Sequence, residues 1–282
     1  MITRDVTPQV VADLATTPPR TALSAVVADQ LVLLPVRAQL DGVDPAHAPR
    51  IVVVPPGTPD LRGCDVVLVS DDGPQWFRLR SLTIRGTASA IGDGAYRITP
   101  RRVVAWDYGA LRDDPAIAEA MHRHNSSRSV TTDLPRPVPM TDREILDASR
   151  VMILASRSAK GTAFAVPLWF VVDRGHICAG TSASSWSVRN VSVCPQVAVL
   201  FGGERGCGAE RMLVRGRARA ETGMPPPAML AQIAARYYLH PRFLVDELRH
   251  LRLWRLRARY YGQAHSAYVV ISPQSALAMD LA

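Results

Sequence analysis

The pattern apolar-Arg-Gly-x-Ala-x-Ala occurs twice in this chain. It reads Ile84-Arg85-Gly86-Thr87-Ala88-Ser89-Ala90 and, 130 residues later, Val214-Arg215-Gly216-Arg217-Ala218-Arg219-Ala220. At the same offset Cys64 maps onto Cys194, each just ahead of an apolar run at 66–69 and 197–201. The stretch 98–107 then matches 271–280 at an offset of 173, so the second copy holds 43 further residues between these matches. Matches kept in one order mean that one folding unit is built twice. The 282 residues therefore divide into two domains, 1–112 and 141–282, with 113–140 between them. Pro135, Pro137 and Pro139 alternate in that connection. Proline donates no backbone hydrogen bond and favours an extended spacer. His122 and His124 lie in the same polar stretch and read as solvated rather than as a metal pair.

The second copy reads mainly as strand. Val151-Met152-Ile153-Leu154-Ala155 is a short buried run, closed by a glycine-bearing turn at 156–161. An apolar strand follows over 163–172, then the turn Asp173-Arg174-Gly175 and a strand from His176 to Gly180. Strands of this length with tight turns predict an antiparallel meander or barrel. A short helix is expected from Ser184 or Ser185, since serine caps helices well. The extra residues differ in character: an insertion at about 223–253 opens on Pro225-Pro226-Pro227. It predicts a helix over 228–239 with an apolar stripe at 230, 233, 234 and 237, and a second helix over 243–251. From Trp254 the alternation with Arg255, Arg257 and Arg259 reads as a half-exposed strand. The expected class is mainly β (α+β).

Composition narrows the rest. With 48% apolar and 21% charged residues the chain is globular, and no apolar run approaches the roughly 20 residues that span a bilayer. Met1-Ile2-Thr3-Arg4-Asp5 opens without the apolar core of a secretory signal, and four cysteines form no CxxC pair. The expectation is a cytoplasmic protein with no membrane partner. Of 33 basic residues 32 are arginine, and the net charge is +8. Arginine, alanine, valine and proline are abundant together, as a GC-rich coding bias produces, and no long basic block marks a nucleic-acid tail. No nucleic-acid partner is expected. There is no P-loop, no GxGxxG after a strand, no HExxH and no GxSxG. The glycine-rich 202–208 reads as a loop between strands, and nothing near Cys207 marks it as a nucleophile.

The residues 166–190 carry a resemblance. Val166-Pro167-Leu168-Trp169-Phe170 is similar to a Val-Pro-x-Trp-Phe strand. Thr181-Ser182-Ala183-Ser184-Ser185-Trp186-Ser187-Val188-Arg189-Asn190 is similar to a Thr-x-x-x-Ser-x-Lys-x-x-Asn segment, with Pro195 ahead of the next strand. Together they resemble the pyridoxamine 5′-phosphate oxidase-like family of split β-barrels, which includes FMN and deazaflavin (F420) oxidoreductases. The resemblance covers 143–222 and 254–280. It implies two tandem split β-barrels forming a pseudo-dimer within one chain, the first copy degenerate, with homodimerisation of the whole chain as a further option.

It also implies a site. Thr181, Ser182, Ser184, Ser185, Arg189 and Asn190 would surround a cofactor phosphate, Trp186 would stack on a planar ligand, and backbone of Val166, Pro167, Leu168 and Trp169 would meet the ring edge. Ser187 stands where the family has its phosphate-binding Lys, so a charged contact becomes neutral; Arg157 or Arg189 would compensate. Tyr237, Tyr238, His240 and Arg242 in the insertion are candidate contacts to a small-molecule substrate. The leading expectation is a flavin-type (FMN or F420) oxidoreductase working by hydride transfer. A haem protein is the alternative, with an axial ligand among His176, His240, His250 and His265. A cofactor-free binding module is the third.

Overall fold

The computed structural model describes residues 8–16, 18, 20–72, 79–107, 133–140, 142–203, 210–239, 245, 248, 251 and 266–279. Helix α1 (Pro8–Thr16) precedes seven strands: β1 (Arg20–Val27), β2 (Gln30–Pro35), β3 (Arg37–Leu40), β4 (Arg50–Val53), β5 (Asp65–Asp71), β6 (Arg80–Gly92) and β7 (Ala95–Asp107). Helix α2 (Arg143–Ala148) leads into β8 (Val151–Arg157), β9 (Ala163–Trp169), β10 (Val171–Asp173) and β11 (His176–Ser182). Then come α3 (Trp186–Val193), β12 (Gln196–Gly202), β13 (Arg211–Thr222), α4 (Pro227–Ile233), a π-helical turn (Ala234–Tyr238) and β14 (Ser266–Met279).

The first sheet is ordered β2-β1-β5-β6-β7-β4-β3 and the second β9-β8-β12-β13-β14-β11-β10. Position by position these are one curled, seven-stranded antiparallel sheet made twice. This is the tandem split-barrel architecture, mainly β with a few helices.

The repeated Arg-Gly has a structural reason. The register between β6 and β7 shifts at Arg85/Gly86, and that between β13 and β14 shifts at Arg215/Gly216. Each is a bulge that bends a long strand, as closing a sheet into a barrel requires. At each bulge the partner backbone comes so close that only hydrogen fits. A Cβ on Gly86 would lie 2.3 Å from the Thr99 carbonyl oxygen, and one on Gly216 would lie 2.4 Å from that of Ser272. Pro100 and Pro273 follow those carbonyls and stand opposite the glycines. The two sequence matches are thus the two sides of one bulge.

Each sheet buries both faces. Alternate residues of β1 and β8 point into their own barrel, Leu23 and Ala25 in the first and Met152 and Leu154 in the second. The intervening residues meet across the pseudo-dimer interface, where Ala22, Leu33, Ile153, Ala155, Ala198, Leu200 and Leu213 form one cluster and Val67, Val69 and Ala163 another. Burial on both faces explains why 151–155 reads as a continuous apolar run rather than an alternating one.

Arg20, only 3% exposed, crosses that interface. It donates from Nε and Nη2 to both carboxylate oxygens of Asp71 at 2.8–3.0 Å. From Nη1 it donates to the carbonyls of Val151 at 2.9 Å and Gly202 at 3.2 Å, both in the second copy.

Two expectations need correction. The strand foreseen over 163–172 breaks at Phe170, whose N–H donates to the Tyr237 hydroxyl at 2.9 Å instead of a neighbouring strand. The helix foreseen over 228–239 ends in a π turn, and its buried residues are Met229 and Tyr237, while Leu230 is exposed. Met229, Ile233 and Tyr237 recur every four residues, a spacing that the wider π turn keeps on one side. The proline-rich stretch, expected as an extended spacer, is bonded to the second sheet. Val138 N–H donates to the Pro273 carbonyl at 2.9 Å, and Ser272 Oγ donates to the Pro135 carbonyl at 2.6 Å, strapping it to β14. The second helix and the strand after Trp254 lie largely outside the described residues.

Two outcomes follow from this packing. Gly86→Ala and Gly216→Ala should each lower unfolding free energy by about 2 kcal/mol or more, because neither carbonyl can retreat without breaking the bulge. Gly180→Ala, where a Cβ meets nothing within 4 Å, should stay within about 0.5 kcal/mol. Urea unfolding of the three variants checks this. Tyr237→Phe keeps the ring stacked on Trp169 (centroids 4.3 Å apart) but orphans the Phe170 N–H. It should cost about 1–3 kcal/mol in the same assay.

Candidate functional site

The site grows from the β8–β9 hairpin. Its turn is closed by Gly161 N–H donating to the Ser158 carbonyl at 2.9 Å, with Gly161 at φ 75°. Strand β9 then alternates. Ala163 and Ala165 enter the inter-copy clusters, while Val166 and Leu168 pack on the second barrel's core. Because β9 ends its sheet, one side of its backbone has no strand neighbour among the described residues. Pro167 is tolerated for that reason. The free edge of 166–169 is where hydrogen bonds to a planar ligand could form.

Opposite this strand the chain turns into α3 through a run of hydroxyls. Ser182 Oγ lies 3.0 Å from Ser184 Oγ, and Ser185 N–H donates to the Ser182 carbonyl at 2.9 Å. Ser185 caps the helix, its Oγ accepting from Val188 N–H at 3.3 Å. Thr181, the penultimate residue of β11, is half-buried. The helix foreseen near Ser184 or Ser185 is therefore present, and its serines are arranged by one another. Asn190 is buried and donates from Nδ2 to Ser156 Oγ at 3.1 Å, pinning α3 to β8. Ser187 is only 5% exposed, facing inward on the same helix. In the first copy no helix stands in the corresponding segment, 54–64.

Aromatic and cationic groups line up across the two copies. The Arg85 guanidinium carbon lies 4.0 Å from the centroid of the Phe164 ring. Phe164 stacks on Trp186 with centroids 5.2 Å apart, and Arg189 lies 5.2 Å from the Trp186 ring. Trp186 remains 40% exposed. Arg157 turns elsewhere: it ion-pairs with Asp29 of the first copy and donates to the Asp29 carbonyl at 2.9 Å. The Asp29 hydrogen bond pushes the Arg157 pKa up, so its charge is already matched. Burial pushes the Cys178 thiol up to about 12, which removes it as a thiolate nucleophile.

Of the residues singled out in the sequence, Trp186 and Arg189 stand together beside Phe164 of β9, and Ser182, Ser184 and Ser185 are joined to one another at the start of α3. Trp169 stacks on Tyr237 and meets Tyr238 edge-on. Tyr237 is buried, its hydroxyl bonded to backbone of Arg150 and Phe170. His176 opens β11 opposite Asp173. His240, Arg242, His250 and His265 lie outside the described residues. Phe164 and Arg85 were not foreseen. Phe164 shares the alternation of Val166 and Leu168 and could have been found that way; no sequence signal places position 85 beside position 164.

The family model described as pyridoxamine 5′-phosphate oxidase matches residues 140–264. No curated protein matches the chain. Among solved structures, a conserved hypothetical protein from Mycobacterium tuberculosis is 18% identical over 53% of this chain and 90% of its own, with a TM-score of 0.37. An F420 reductase is 19% identical over 50% of this chain and 98% of its own, TM-score 0.32. HutZ, the haem storage protein of Vibrio cholerae, is 15% identical over 49% and 90%, TM-score 0.35. Over residues 140–264 this chain is thus similar to the pyridoxamine 5′-phosphate oxidase family.

Proposed function

We propose that the chain binds a flavin-type cofactor, FMN or F420, in the groove between its two sheets and acts as an oxidoreductase on a small organic molecule. The observation that carries this reading is the convergence of the free edge of β9 with the serine-lined turn into α3. The edge offers backbone donors and acceptors to a ring. The turn offers hydroxyls and the N-terminal end of a helix to an anionic group. Such a cofactor supplies two-electron hydride chemistry when bound. The protein's own part is positional. Phe164 and Trp186 give a flat apolar wall, and the clusters at the interface keep water from one side of it. The hydroxyls orient the anionic end. The buried Ser187 favours a second reading, haem, since a haem site does not need the family's Lys.

The absorbance spectrum of the purified protein separates these. A flavin or deazaflavin band, or one gained on adding FMN or F420, is the expected result. A Soret band instead would establish the haem reading. Neither band, with no rise in melting temperature on adding any of the three, would leave a cofactor-free module.

A further inference from the structure

Arg85 and Arg102 stand directly opposite each other on β6 and β7, so their side chains share one face of the first sheet. Like charges in that position destabilise a sheet. Arg85 is partly buried, and burial together with the neighbouring Arg102 pulls its pKa down. Among the described residues neither guanidinium has a carboxylate partner, although Arg101 next to them pairs with Asp65 and Arg80 with Asp13 and Asp72. Arg85 faces the second copy, where it covers the Phe164 ring, and Arg102 stands exposed beside it.

The pseudo-twofold gives an internal control. The counterpart of Arg85 is Arg215, and opposite it stands Ser275, not a second arginine. Arg215 is exposed. The groove that has the doubled arginine is the one that has α3 and its serines. The other has a lone arginine and, at 54–64, no helix. Two unrelated features, one from each copy, are kept on one side and missing from the other.

We infer that Arg85 and Arg102 of the first copy form the anion clamp of the ligand site, holding a phosphate-class group of the ligand seated against Phe164 and Trp186 of the second copy. The charge absent at Ser187 is thus supplied across the interface, and each chain has one such site. This rests on the cofactor reading above for the identity of the ring, but not for the anion.

The test compares FMN with riboflavin, the same ring without the phosphate, in titrations of the full chain. The wild type should prefer FMN. Arg102→Gln, an exposed change with no ion pair to break, should weaken FMN binding about tenfold, the loss of one charged contact. It should leave riboflavin binding unchanged. Arg85→Gln should do the same, and Arg215→Gln should alter neither. A thermal-shift arm uses pyrophosphate alone. It should raise the melting temperature of the wild type and of Arg215→Gln, and not that of Arg85→Gln or Arg102→Gln. If FMN binds and its preference survives both substitutions, the clamp is overturned while the cofactor reading stands. If no flavin binds but the pyrophosphate shift is lost in both variants, the clamp stands and the cofactor reading falls. No FMN preference and no pyrophosphate shift in the wild type also overturns the clamp.

Discussion

Arg20 makes five hydrogen-bond contacts inside the molecule: three to the Asp71 carboxylate in its own sheet and two to carbonyls of the second copy. A guanidinium taken out of water is stable only when its partners are complete. Removing any one of these groups leaves a buried charge or a buried carbonyl unmet. The relation of the two sheets is therefore fixed by a buried polar contact at the start of β1, and by the apolar cluster of Ala22, Leu33, Ile153 and Leu200 beside it. Everything about the groove depends on that relation. Phe164 and Trp186 come from one sheet and Arg85 from the other.

Much of the fold was legible because the chain states it twice. The Arg-Gly matches and the Ile-x-Pro matches are the two strands of one bulge, repeated, and the glycines are needed because a carbonyl oxygen occupies the space of a Cβ. A constraint so local leaves a clear sequence mark. The break at Phe170 left none. It depends on a hydroxyl 67 residues away, delivered by a π turn that helical periodicity does not anticipate. The strap of 135–138 on β14 was equally hidden, since its bonds go to a segment distant in sequence.

The site was legible in part for the same reason. The strand 166–169 and the serine turn are contiguous motifs, carried by a local hairpin and the start of a local helix. What the sequence could not show was how individual side chains were occupied. Arg157, attractive as a free cation, is matched by Asp29 across the interface. Tyr237, attractive as a polar contact, completes the backbone of Phe170. Arg85 was visible only as part of a repeat, where it marked architecture rather than chemistry.

The fusion of two barrels into one chain has a consequence for how the halves can vary. In a pair of identical subunits every substitution falls on both grooves at once, so neither can specialise. Here position 102 holds arginine while its counterpart, Ser275, does not, and 54–64 has no helix while 186–193 does. Joining the copies also makes their pairing independent of protein concentration. An interface between separate subunits weakens on dilution, but the contact of Phe164 with Arg85 belongs to a single molecule, and the groove keeps its walls however scarce the protein is.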